Sequence, residues 1–372
     1  MGWCTTSDLD QFAAAAEGYL RSRAAENTML LSAALAVRSG RPSLVVGQRW
    51  PAPGATLGVA GESGLLYGWW EPPDGSGARG AFIHDPAMPL LIAGRAPEMA
   101  AALAGILSKL GRHVSGVDAP VEAADAFAAA WSQREHSSVR VHRQCRVYRL
   151  TAAATGGQSP GPGPGPAVAP APAGRLRVMT PADRGLLIDW LIAFGIEAGE
   201  RISSPPDVAD ELLGYGGAVL WEAPQRTFRI REAAHYLVSP QHRDAAQQAE
   251  PAYQPAALAT VARPVAGTVR INLVYTPPER RRNGHAAAVT LMTSRAILAG
   301  AVPGVGAEAS SEVVLIADGT RPDRQVTRLG FQLVGERAVL RFGPSTGPLP
   351  KLPANTRPMP RLPTGPLPRL RR

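Results

Sequence analysis

The segment from 268 to 298, TVRINLVYTPPERRRNGHAAAVTLMTSRAIL, constrains the fold more than any other part of the chain. An apolar, β-branched run from Thr268 to Thr276 predicts a strand, and Pro277 and Pro278 end it. An arginine-rich stretch with one glycine follows. The alanine- and leucine-rich spacing after that stretch predicts a helix that ends near Leu298. The sequence therefore predicts a strand, a basic glycine loop and a helix in direct succession.

Such a succession is suited to bind an anionic phosphate. The start of a helix offers free backbone N–H groups and the positive end of the helix dipole. Gly284 lets the backbone approach a ligand where a Cβ would obstruct it. Arg281 and Arg282 add positive charge. The alternative interpretation is an ordinary strand-to-helix turn with a solvated arginine cluster.

The residues from Arg281 to Ala286 fit the pattern R/Q-x-x-G-x-G/A, and the sequence VYTPPE precedes them. The segment resembles the acetyl-CoA pyrophosphate loop of the GCN5-related N-acetyltransferases, which place a strand and a short proline-containing turn before this loop. The resemblance implies that acetyl-CoA binds here as co-substrate and that no metal takes part. It assigns the cofactor contacts to the strand end and the loop: Val274, Tyr275, Thr276, Arg281, Arg282, Asn283, Gly284, His285, Ala286 and Ala287.

The resemblance extends toward the C-terminus. A strand is predicted from Glu312 to Ala317, and the sequence Leu329-Gly330-Phe331 matches the family's L-G-F before its last strand. Counting back from Gly330, Val326 stands where many members have a tyrosine that protonates the leaving thiolate. The resemblance therefore predicts that the Val326 side chain points toward the CoA sulfur. Valine cannot donate a proton, so catalysis is expected to be weak, and a pseudoenzyme that acts through interactions is the alternative.

An amine must attack as the neutral base, so some group has to take up its proton. The candidates for this base are Glu222, Glu232 and His235. Glu197 and Glu200, at the end of a predicted helix, are candidates to line the acceptor groove. The sequence leaves the acceptor open among small amines, aminoglycosides, protein N-termini and lysine side chains.

The chain is organised around a Pro/Gly/Ala-rich linker at 151–174, which predicts a spacer between two domains, 1–150 and 175–342. Both halves show a similar order of predicted elements, so the N-terminal half is interpreted as a degenerate copy in which Glu98 replaces the loop glycine. The predicted fold class is α/β of the α+β type. It consists of two tandem domains, each a mostly antiparallel mixed sheet flanked by helices. An insertion at 223–256 is either a substrate lid or poorly ordered.

The charge and composition of the chain limit the classes of partner that are expected. The net charge is +9, but the predicted disordered tail at 343–372 holds six basic residues and no acid, so the rest of the chain carries +3. A nucleic-acid partner is therefore not expected. The tail is either a ligand for a protein or an anionic surface, or a functionless extension. No apolar run is long enough to span a bilayer, and the N-terminus lacks signal-peptide features. We expect a cytoplasmic protein, and its Gly-, Pro- and Arg-rich composition indicates a high-GC bacterium.

Overall fold

The computed structural model describes residues 2–40, 64–72, 74–155, 172–199, 202, 204–225, 252–302, 304–305, 310–319 and 323–344. Within these ranges, twelve strands form one continuous sheet, and helices cover both of its faces. The predicted α+β fold with a mixed sheet flanked by helices is confirmed.

The N-terminal half supplies six strands and five helices of the described structure. The strands are β1 (Gly2–Thr6), β2 (Leu66–Glu71), β3 (Gly80–His84), β4 (Leu90–Ala93), β5 (Gly116–Pro120) and β6 (Ser137–Thr151). The helices are α1 (Leu9–Ser22), α2 (Ala24–Arg38), α3 (Pro97–Lys109), α4 (Val121–Glu135) and the short α5 (Ala152–Thr155).

The C-terminal half repeats this order. Its strands are β7 (Arg175–Val178), β8 (Ala218–Pro224), β9 (Tyr253–Val261), β10 (Thr268–Tyr275), β11 (Glu312–Asp318) and β12 (Gln332–Pro344). Its described helices are α6 (Arg184–Ala198), α7 (Pro205–Tyr215), α8 (His285–Leu298) and α9 (Arg324–Arg328).

The two halves exchange their last strands. The strand order is β1-β2-β3-β4-β5-β12-β6-β11-β10-β9-β8-β7, so β12 of the C-terminal half pairs with β5 and β6 of the N-terminal half pairs with β11. Only the β4–β5 and β10–β11 pairs are parallel, at equivalent places in the two halves. The order is thus symmetric about the central β12–β6 pair. The sequence predicted two sheets and did not predict this junction, and the predicted domain boundaries remain predictions.

Apolar side chains attach helices to both faces of the sheet. In the N-terminal half, Phe127 of α4 and Met99 of α3 are buried in one cluster, whereas Phe12 of α1 and Leu30 of α2 are buried in another. A third cluster joins α6, α7 and α8 to the strands of the C-terminal half. The burial of this apolar surface is the main force that holds the layers together. No helix in the described ranges is long and apolar enough to cross a membrane.

Candidate active site

The end of β10 and the start of α8 adopt the arrangement that the sequence predicts. The strand ends at Tyr275, a short 3-10 turn follows at Pro278–Arg280, and the helix begins at His285. Gly284 precedes the helix in the left-handed region with φ 77°, and Arg282 has φ 63°. A glycine is favoured at such a φ because it has no Cβ to clash with the backbone. The predicted position of Gly284 at the start of a helix is confirmed.

The loop presents backbone donors that nothing else in the described structure uses. The N–H groups from 282 to 287 have no acceptor within the described ranges, and the next one, that of Ala288, donates to the Gly284 carbonyl at 2.9 Å. Free N–H groups at a helix start, joined to a loop of alternating conformations, form a concave site for an anion. Gly284 and Arg282 both lie on the exposed side of this loop.

A slot opens between β10 and β11 beside the loop. The two parallel strands pair only from Thr268 to Ile271, opposite 312–315. Beyond this point β10 shifts register between Ile271 and Leu273 and pairs on its other side with β9 alone. The last part of β10 therefore leaves backbone groups facing the gap toward β11. The hydroxyl of Thr276 is also buried there without a partner in the described residues.

Glu197 at the end of α6 connects that helix to the strand and the loop. It accepts a hydrogen bond from the Tyr275 hydroxyl at 3.1 Å and forms an ion pair with Arg281. Arg281 also donates from Nε to the Thr276 carbonyl at 2.9 Å. The hydrogen bond from Arg281 lowers the pKa of Glu197, whereas burial and then Glu197 raise the pKa of Tyr275. At neutral pH the site therefore holds an ionised carboxylate beside a protonated phenol.

Other side chains support the shape of the loop. The Asn283 amide donates to the carbonyls of Arg280 and Arg281, each at 3.2 Å, and Arg280 donates to Gln254 Oε1 at 2.5 Å. His285 is buried at the helix start, where burial and the charge of Arg280 lower its pKa. Its neutral ring contributes packing. The exposed Ala286 and half-exposed Ala287 of the first turn leave the helix start open.

Glu222, a predicted base, is already held by two arginines. It accepts from Arg175 Nε at 2.8 Å and from Arg177 Nε at 3.0 Å. Burial alone would raise the pKa of Glu222, but the two guanidinium groups lower it. Strand β9 also separates its strand, β8, from β10. These contacts favour a structural ion pair at Glu222, and its role as base remains a prediction.

The remaining predicted acids and bases cannot be placed. Glu232, His235 and Glu200 lie outside the described residues, as does most of the insertion at 223–256. No group of three or more His, Cys, Asp or Glu that could hold a metal occurs in the described part of the chain.

Val326 is buried in the apolar core of the C-terminal half. Its side chain is 7% exposed and belongs to the apolar cluster of the C-terminal half, together with Phe331. The short helix α9 that carries it begins at Asp323, whose carboxylate caps the Val326 N–H at 3.4 Å. The burial shows that the side chain packs in the apolar core, and the prediction that Val326 points toward the CoA sulfur stays a prediction.

A groove of about 450 Å³ opens next to Glu197. Its lining comes from the end of α6, the end of β11 and the exchanged strand β6: Val141, His142, Arg143, Gln144, Ala198, Asp318 and Gly319. Burial, followed by the charges of Arg341 and Arg143, lowers the pKa of His142, so the imidazole is neutral at neutral pH. The sequence did not indicate these residues, because only the strand exchange brings part of the N-terminal half to this site.

The equivalent loop of the N-terminal half is not built for an anion. Helix α3 begins with Pro97, which has no N–H, and Glu98 stands in its first turn. The neighbouring Arg95 is bound to Glu26 at 2.8 Å and to the Val334 carbonyl at 3.1 Å. A carboxylate at this helix start would repel a phosphate.

Comparisons with known proteins agree with the fold. No protein-family model matches the sequence, and no curated protein matches it. Among solved structures, it is similar to a Drosophila protein (9% identity, TM-score 0.50), with 92% of this chain and 99% of that chain covered. It is also similar to a GCN5-related N-acetyltransferase from Sphaerobacter thermophilus (15%, TM-score 0.47, 91% and 95% covered). A tandem GNAT protein from the clavulanic acid biosynthesis pathway matches too (12%, TM-score 0.42, 92% and 98% covered). Two of these three similar structures are named as a GCN5-related N-acetyltransferase and a tandem GNAT protein, the family that the sequence resembles.

Proposed function

We propose that the chain is an acetyl-CoA-dependent N-acetyltransferase that transfers an acetyl group to a primary amine by direct attack. One observation carries the proposal. The free backbone N–H groups from 282 to 287 follow directly on a strand that separates from its parallel neighbour. This combination offers an anion site and an extended slot side by side. Acetyl-CoA, with a pyrophosphate and a long, thin pantetheine chain, would fit both.

The residues of the loop and strand fit the parts of acetyl-CoA. The pyrophosphate would lie on the N–H groups around Gly284, with Arg282 exposed beside it. The pantetheine chain would enter the gap beside Val274. The edge of β10 at this residue offers backbone groups to the thioester carbonyl. A backbone N–H aimed at that oxygen stabilises the negative charge that develops on it during attack. Among the residues that the structure describes, the C-terminal half alone offers these features, so one molecule is expected per chain.

The amine is expected to approach from the groove between the end of α6 and strand β6. Glu197 is ionised and adjoins Ala198 of the groove, so it can attract an ammonium group. The amine must lose a proton before it attacks. His142 in the groove is neutral and can accept a proton. We therefore add Glu197 and His142 to the earlier candidates, Glu222, Glu232 and His235.

A catalytically weak protein that binds CoA and acts as an interaction module is the second candidate. The valine at 326 favours it, because the short helix α9 carries no tyrosine to protonate the leaving thiolate. A missing general acid typically lowers a rate by about 10²–10⁴. The possible roles of the tail as a protein or anionic-surface ligand stay predictions, since 345–372 lies outside the described residues.

An assay of thiol release from acetyl-CoA over a panel of primary amines separates the two candidates. The panel contains small amines, aminoglycosides, peptides with free N-termini and peptides with a lysine. The enzyme proposal expects amine-dependent release that is lost in Gly284→Glu. Acetyl-CoA binding without release on any amine would support the interaction module, and absence of both would contradict the site itself.

A further inference from the structure

A cavity of about 80 Å³ lies under α2, at the place where strands of both halves meet. Its lining includes Met29 of α2 and residues of five adjacent strands: Asp118, Cys145, Arg270, Asn272, Ile316 and Arg337. A cavity needs only about 10–15 Å³ of such volume to hold one water. This one therefore has room for a ligand of a few heavy atoms.

The single buried carboxylate in the described lining is already paired. Arg337 donates from Nε to Asp118 Oδ1 at 2.8 Å and from Nη2 to the Asp118 carbonyl at 3.0 Å. Both side chains are 4% exposed. Arg143, also in the lining, forms an ion pair with Asp318 at 3.3 Å. Each of these two arginine–aspartate pairs has no net charge.

Arg270 adds a positive charge without a carboxylate of its own. Its side chain is buried, donates from Nε to Asn272 Oδ1 at 2.8 Å and contacts the sulfur of Met29. Neither partner is charged, and Asp118, the carboxylate whose charge attracts this guanidinium, is already paired with Arg337, whose charge repels it. Arginine does not give up its proton in proteins, so burial cannot neutralise it. An uncompensated buried charge is strongly destabilising.

We propose that this cavity binds a small anion, a carboxylate or a halide, that compensates the charge of Arg270. The Arg270 guanidinium would hold the anion, and Asn272 would orient that guanidinium through its amide oxygen. The small volume excludes large organic anions. Because α2 and β6 belong to one half and β10 and β11 to the other, the anion would hold the two halves together. No residue of the loop around Gly284 is among the residues that line the cavity.

Thermal unfolding in different salts tests the proposal. Acetate, formate or chloride would replace gluconate, which is too large for the cavity, at constant ionic strength. We expect Tm to rise with the logarithm of the small-anion concentration above its dissociation constant, and by about 2 °C at ten times that constant. The same rise should occur in Gly284→Glu, which excludes binding at the loop as its cause. Arg270→Met should remove the dependence.

Arg184→Met is the matched control. Arg184 lies on α6 and forms an exposed pair with Asp210 of α7, so the variant removes the same charge elsewhere and should keep the anion dependence. The absence of a rise in Tm with small-anion concentration in the wild type, or an equal rise in Arg270→Met, would overturn the proposal. If Arg270→Met does not fold, crystals of the wild type grown in bromide decide the question. An anomalous peak in contact with the Arg270 guanidinium supports the site, and an empty cavity overturns it.

Discussion

Arg337 Nε donates to Asp118 Oδ1 at 2.8 Å, and this bond joins the last strand of the chain to the fifth strand of the N-terminal half. The two side chains are almost completely excluded from water, each 4% exposed. The Asp118 backbone carbonyl accepts a second bond from the same guanidinium. The exchange of last strands is therefore fixed by a buried ion pair as well as by the backbone ladder.

Arg337→Leu is expected to lower the free energy of unfolding by about 3–5 kcal/mol, because it leaves Asp118 buried without its cation. The double variant Asp118→Leu, Arg337→Leu should recover most of that loss, since replacing both partners with apolar groups is often neutral. Urea unfolding measures both. A double variant as unstable as the single one would show that the unpaired charge of Asp118 does not cause the loss of stability in Arg337→Leu.

The exchange also predicts that the two halves unfold together. Strands β5 and β11 each pair with a strand that belongs to the other half. In native-state hydrogen exchange with added denaturant, amides in β5 and amides in β11 should therefore exchange with the same opening free energy. If one half lost protection well before the other, the halves would be independent units.

Asp183 gives a prediction for the pH dependence of stability. Its hydrogen bond from Arg177, together with the N–H and hydroxyl of Thr180, lowers the pKa of this carboxyl from 3.8 to about 2. A carboxyl whose pKa is lower in the folded state than in the unfolded state stabilises the fold at a pH above its unfolded-state pKa. That contribution disappears as the pH falls through its folded-state pKa. Asp183→Asn should lower stability by about 2 kcal/mol at neutral pH. The difference from wild type should shrink between pH 3.8 and about 2. A constant difference across that range would contradict the assignment.

Val326→Tyr should destabilise the protein without increasing turnover. The phenol would have to fit into a core position that is 7% exposed, and overpacking a core costs about 1–3 kcal/mol. Thr327→Tyr, at the exposed neighbour on the same short helix, is the control and should leave Tm unchanged. A clear rise in turnover in Val326→Tyr would instead restore the position that the resemblance implies.

The sequence predicted the parts of the structure that local chemistry determines. The prolines after Thr276 and the glycine at 284 set the strand end and the helix start, and both lie where they were predicted. The strand exchange could not be predicted in this way. Strands β6 and β12 are both extended runs at the end of a half, and periodicity does not say which neighbour each one pairs with.

Two predicted site residues have contacts that the sequence did not indicate. Glu222 stood out in the sequence as an acid in an apolar strand, but its partners Arg175 and Arg177 lie in β7, a short strand that the sequence analysis missed. Strand β7 has only four residues, too few to show an alternating pattern. Val326 was placed by counting back from Gly330, and the short helix α9 turns that residue into the core.

The measurement that tests the account most directly is the binding of acetyl-CoA by calorimetry. The wild type should bind one molecule per chain, and Gly284→Glu should abolish binding, because it forces a side chain onto φ 77° and places a carboxylate at the phosphate site. Gly111→Glu is the matched control: it has φ 61° with open space around an added Cβ, and it lies at the end of α3, away from the loop. It should bind like the wild type. Binding that survives Gly284→Glu, or a stoichiometry near two, would contradict a single acetyl-CoA site in the C-terminal half.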